Sequence, residues 1–185
     1  DVSLGALRAT LPFAEGAGAV SAMATDPRSG AVYAGTWGDD GAPSQLLAVD
    51  PISMRPIGPA LTLREGFRGV LATEKAIRAL HVLPQARLLI AACAGAPTAL
   101  EPGVLVQFRI GDDGALTRLA ALGLPELSGP IALSLLDLSN SPTATVHVVI
   151  ASMPPMLVRV DALTLTVQGR WALAATERQF GSGLA

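Results

Sequence analysis

Three apolar segments recur along the chain at one fixed interval. They are AVYAGT (31–36), LLIAACAG (88–95) and HVVIAS (147–152). With Gly35, Cys93 and Ala151 taken as equivalent, each step is 58 residues. A self-similar period of this size is the signature of a repeat architecture, and it constrains the fold more than any single motif. A second apolar segment follows each copy: LLAVD (46–50), LVQFRIG (105–111) and LVRVD (157–161). A further one comes next: MRPIGPALTL (54–63), ALTRLAALGL (115–124) and LTVQGRWAL (165–173). Each copy is preceded by another, in AVSAMATDP, IRALHVLPQ and IALSLLDLS.

These runs are five to eight residues long and bounded by Gly, Pro, Asp and Ser, which is the grammar of strands and turns. Strands are predicted near 4–11, 19–25, 30–36, 45–50, 56–63, 77–83, 87–93, 103–110, 116–122, 130–137, 145–151, 156–161 and 165–173. RLLIAACAG is almost wholly apolar, as expected of a strand buried on both faces. The one helical candidate, 64–80, contains Gly66 and Gly69, so at most one or two turns are expected near 70–76.

A four-stranded antiparallel sheet with two apolar faces cannot bury both alone. Sheets stacked face to face around an axis can, and that is a β-propeller. The fold class predicted is therefore all-β, a propeller segment of about three four-stranded blades within a larger ring. The expected division is a blade end over 1–11, blades over 19–63, 77–124 and 130–173, and the start of another over 174–185. The opening DVSLGALRATLPF, which lacks an initiator Met, reads as the interior of a longer chain. A Greek-key β-sandwich is the rival architecture, but it does not account for the 58-residue period.

Asp26, Pro27, Gly30, Tyr33, Gly35, Thr36, Asp50, Ser53 and Met54 form a pattern of their own. An Asp-Pro turn leads to an aromatic-bearing strand ending in Gly-Thr, then to an apolar strand ending in Asp. This resembles the repeat of NHL/YVTN-type propellers and related repeats in large algal and protist surface proteins. Asp161, Thr164 and Leu165 carry part of it again. The resemblance implies a structural parent protein of a ciliary or cell-surface assembly, with other protein subunits as partners. No Gly-His or Trp-Asp pair of the WD40 type occurs.

The chemistry-bearing residues are few. Charged residues make up 15% of the chain, against about 25% in an average domain, which suggests that partners or neighbouring chain cover part of the surface. The net charge is −2 with no basic block, so no nucleic-acid face is expected. No apolar run is long enough to span a membrane. Cys93 lies in an apolar run and is expected to be a buried hydrophobe. GDDGA occurs at 38–42 and 111–115; turn-making is the simpler reading, with Ca²⁺ binding as the alternative. His81 and His147 have no second ligand nearby in sequence, and no nucleophile elbow or phosphate loop is present. Neither a catalytic residue nor a metal or cofactor site is expected.

The predicted role is a non-catalytic scaffold or protein-interaction module. Trp37, Met153, Met156 and Trp171 are the candidate contact residues: Trp is enriched at interface hot spots, with core packing as the alternative, and MPPM (153–156) reads as a stiff turn before a strand or as a contact loop on the rim. Two alternatives stay open. A propeller hydrolase or lactonase would need Asp26, Asp50, Asp137 and Asp161 to converge on a metal. A glycan-binding module would use Trp37 on a rim loop.

Overall fold

The period folds into hairpins whose turns follow one plan. In the computed structural model, which describes Phe13 and residues 18–37, 44–63, 76–94, 103–125, 133–136, 145–150 and 155–173, four hairpins close over four loop residues. The loops are 27–30, 51–54, 84–87 and 162–165, and each ends on a residue with positive φ: Gly30, Met54, Arg87 and Leu165. Pro occupies the first loop position in three of the four, where its fixed φ suits the start of the turn. Met54 holds φ at 53°, a conformation that costs an L side chain about 1–2 kcal/mol. Met54→Gly is therefore expected to stabilise the fold by about 1 kcal/mol, read as a raised denaturation midpoint.

Thirteen strands arise among the described residues, all antiparallel to their neighbours. The first sheet holds β1 (Val20–Thr25), β2 (Val32–Thr36), β3 (Ser44–Asp50), β4 (Arg55–Pro56) and β5 (Leu61–Leu63). The second holds β6 (Ala76–Leu83), β7 (Leu88–Ala94), β8 (Gly103–Ile110) and β9 (Leu116–Leu124). The third holds β10 (Leu133–Leu136), β11 (Thr145–Ile150), β12 (Met156–Asp161) and β13 (Thr166–Ala172). Each sheet runs as a meander in chain order. The expected strand over 4–11 and the helical turns over 70–75 lie outside the described residues, and Ala76 already begins β6.

Two expectations need correction. The outer strand foreseen over 56–63 is two short pieces, β4 and β5, both paired with β3. Gly58, with φ at 75°, and Pro59, which has no N–H to donate, break it between them. The repeat step also changes. Gly35 pairs with Ala22, and Ala92, not Cys93, pairs with Ala79 at the matching place. The first two blades are thus 57 residues apart, and each innermost strand carries one extra residue at the matching place: Ser21 in β1 and Arg78 in β6.

The three sheets stack face to face through two separate apolar seams. Between the first and second lie Tyr33, Leu46, Ile77, Leu89, Ala91, Cys93, Val104, Val106 and Phe108. Between the second and third lie Leu83, Leu88, Ile90, Ala92, Leu105, Val146, Val148, Val158 and Val160. β7 alternates between the two seams, so every one of its residues is buried, as its unbroken apolar run foretold. Cys93 is wholly enclosed in the first seam, the place expected of it. The innermost strands β1 and β10 both pack beside β6, so these strands lie around a common axis.

Candidate functional site

The innermost strands are pleated, and an extra residue in one of them turns a side chain out of the regular alternation. Ser21 is such a residue in the first blade. Its hydroxyl donates to Gly35 O at 3.3 Å and to Ile77 O of the second blade, tying the two together. Arg78 takes the matching place in the second blade, and its guanidinium lies 3.4 Å from the centre of the Trp37 ring. Trp37 extends β2 by one residue. Its N–H donates to Ala19 O at 2.9 Å, and it bridges to Ala76 at the start of β6. The Trp37 indole is 43% exposed, with the large exposed side chains Val20 and Met23 on the neighbouring strand β1. Stacking a cation on Trp is worth about 0.5–1 kcal/mol where solvent can reach.

Arg78 is the residue that sequence reasoning missed. Desolvation holds its guanidinium below its ordinary value. Its Nε is buried without a hydrogen-bond partner. Only the register reveals it, since nothing in IRALHVLPQ marks Arg78 as the extra residue.

The other candidates fall elsewhere. Trp171 lies on β13, across from Leu157, with its ring folded over Gly169; it is 48% exposed. Met156 packs against the apolar seam between the second and third blades. Met153 lies outside the described residues. The structure therefore does not gather Trp37, Met156 and Trp171 on one surface.

The carboxylates weighed for a metal site are held apart in separate turns. Asp26 accepts from the Arg28 and Ser29 amides at 3.1 and 3.2 Å and from the Ser29 hydroxyl at 2.6 Å. Asp50 accepts from the Ile52 amide and the Ser53 hydroxyl, and Asp161 from the Leu163 and Thr164 amides. These bonds explain why Asp recurs before the turns. Asp137 and the first GDDGA lie outside the described residues. In the second GDDGA, Asp113 accepts from Ala115 N at 2.9 Å, and Asp112 pairs with Arg87 at 3.2 Å. That is turn chemistry.

Burial pushes the Asp26 carboxyl up, but the Ser29 hydroxyl, the Arg28 and Ser29 amides and the Arg87 charge outweigh it, leaving it below 3.8. The stability from this lowered group is present above pH 3.8 and is lost as pH falls through its folded value. Asp26→Asn is expected to flatten that acid limb in a pH series of urea denaturation midpoints.

Tyr33 closes the same end of the stack. Its hydroxyl donates to Gly114 O at 3.1 Å, joining the first blade to the β8–β9 turn of the second. Burial, together with the Asp26 charge, pushes its phenol up to about 12. This raised group contributes stability that is present below pH 10 and lost as pH rises through its folded value. Tyr33→Phe is expected to cost about 1 kcal/mol at neutral pH and to remove the Tyr33 part of the alkaline loss, read in the same pH series. Gln107 bridges the next pair of blades, donating from Nε2 to Ala162 O and Leu163 O.

No protein-family model and no curated protein matches the sequence. Among solved structures, the chain is similar to a protein from Lactobacillus plantarum at 14% identity, with a TM-score of 0.56 over 84% of this chain and 42% of that one. It also matches Sqt1 of Saccharomyces cerevisiae at 12% identity, with a TM-score of 0.46 over 86% of this chain and 49% of that one. The chain thus spans less than half the length of either structure. The likeness to the Lactobacillus plantarum protein is one of fold, and it agrees with one five-stranded and two four-stranded antiparallel sheets stacked about a common axis: the chain is all-β and forms a β-propeller segment of about three blades.

Proposed function

We propose that this chain is a non-catalytic scaffold segment that binds other protein subunits. The observation that carries the reading is Trp37, half exposed at the junction of two blades, with further exposed apolar side chains, Val20 and Met23, on the strand β1 that pairs with β2. Large aromatic side chains held at such junctions are the usual anchors of protein interfaces. Cross-linking the chain within its native assembly, alongside Trp37→Ala, tests this. Loss of specific cross-links in the variant is the expected result. An unchanged cross-link map, or a chain that remains monomeric and partnerless, counts decisively against it.

In this reading 19–63, 77–124 and 130–173 are three blades of a larger ring, and 1–11 and 174–185 belong to the blades on either side. Further copies of the period in flanking sequence are the expected finding. The resemblance of Asp26 to Met54 to NHL/YVTN-type repeats supports a ciliary or cell-surface parent, which immunolocalisation tests. The hydrolase reading has no comparable support, because Asp26, Asp50 and Asp161 are each engaged by their own turn. Glycan-array binding that disappears in Trp37→Ala would favour carbohydrate recognition instead.

A further inference from the structure

We propose that Arg78, stacked on Trp37 at the junction of the first two blades, is a binding site for a carboxylate group. The proposal goes beyond the scaffold reading, since it holds equally for a free organic acid and for an acidic side chain of a partner protein.

A guanidinium whose Nε is buried is ordinarily paired with an anion or satisfied by protein acceptors. Among the described residues Arg78 has neither: the partner it shows there is the face of Trp37, at 3.4 Å. A stacked ring engages the flat face of the guanidinium and leaves the N–H edge unanswered. Nε is buried and without an acceptor, so water does not serve it either. The two Nη groups are the edge left open to a ligand.

The matching residue one blade earlier sharpens the point. Ser21 is the extra residue of β1, and its hydroxyl is satisfied across the junction by Gly35 O and Ile77 O. Arg78 is the extra residue of β6, so the fold turns its side chain out of the sheet in the same way. The first blade uses this device to bind its neighbour. The second uses it to hold a cation against a half-exposed indole, with no anion beside it among the described residues. Stacking fixes the plane of the guanidinium, and a fixed plane with two parallel N–H groups matches the two oxygens of a carboxylate. Trp37 supplies an apolar wall for the carbon chain next to that group.

The chain has two tryptophans, so Trp171→Phe leaves Trp37 as the sole indole reporter. Glutarate is titrated into this variant against sodium chloride at constant ionic strength. Trp37 emission and the Arg78 Nε–H resonance of ¹⁵N-labelled protein are followed together. A saturable change in both is expected, about tenfold weaker in Arg78→Lys, which keeps the charge but loses the paired donors. In Arg78→Met no saturation is expected. A linear response that is the same in Arg78→Met overturns the proposal, as does an Arg78 resonance that glutarate leaves unmoved in the parent protein. The resonance keeps the test decisive even where Arg78→Met does not fold. A capped peptide of alternating Glu and Gly forms the second arm: tighter binding than glutarate assigns the carboxylate to a protein partner, and equal binding to a free acid. Neither arm depends on the cross-linking result, so failure of the scaffold reading and failure of this site are separately visible.

Discussion

Gly35→Val is expected to part the first blade from the second. A Cβ at Gly35 would stand 2.6 Å from Ile77 Cγ2 and 3.0 Å from Ile77 Cβ. Neither atom can swing away, because both belong to the branch point of a fully buried side chain on the next blade. Forcing extra methyl groups into such a contact costs about 1–3 kcal/mol. The loss here should reach the top of that range, because separating the strands also strains the Ser21 tether to Gly35 O and Ile77 O. Equilibrium denaturation measures it, and Ile77→Ala supplies the control. Alone, Ile77→Ala opens a cavity and destabilises; with Gly35→Val, the new methyls fill part of that space. The double variant should therefore lose less than the sum of the two, by about 1 kcal/mol or more. Strict additivity would show that Gly35 is not chosen for its approach to Ile77.

Phe108→Ala is expected to have the largest effect of all, a loss of about 3–5 kcal/mol. Phe108 is fully buried in the seam between the first two blades, opposite Leu89 of β7. Domains of this kind have about 5–15 kcal/mol in total, so the loss is a large share of it. The loss should also be local. Phe108 belongs to the first seam and Leu105, three residues earlier, to the second. In stacked repeats each unit is stabilised by its immediate neighbours. Amide exchange in Phe108→Ala should therefore rise first in β1, β2 and β3, and in Leu105→Ala first in β11, β12 and β13. The same exchange pattern in both variants would mean that the three blades open as one unit.

Much of this architecture was legible in the order of residues. Turns were marked by Asp26-Pro27, Asp50-Pro51 and Asp161 because a short carboxylate side chain binds the amides two and three residues on, a purely local interaction. The double-sided burial of β7 was legible because it needs an unbroken apolar run. What could not be read was register. An extra residue in a strand leaves composition and periodicity almost unchanged, so Ser21 and Arg78 read as ordinary strand residues; apolar runs also align about as well one residue out of register, so the sequence period is 58 where the structure has 57. The candidate site follows from the same blind spot. Trp37 was visible as a large aromatic after Gly-Thr. Its pairing with Arg78 spans two blades and depends on a bulge that only the paired strands disclose. MPPM read as a turn or a rim loop, whereas the place of Met156 against the seam is set by packing across blades, which the local sequence does not carry.

The outermost strands bear on a different hazard. Each blade ends in an edge whose free N–H and C=O groups could recruit a foreign strand and seed cross-β growth. In the first blade Gly58 and Pro59 interrupt that edge. In the second and third, the register slips beside Leu119 and Gln168, so neither edge offers a regular ladder. A chain that is half apolar and rich in strands is thereby guarded against edge-to-edge polymerisation. The faces of the blades, by contrast, meet through side chains in the two seams and expose no such ladder there.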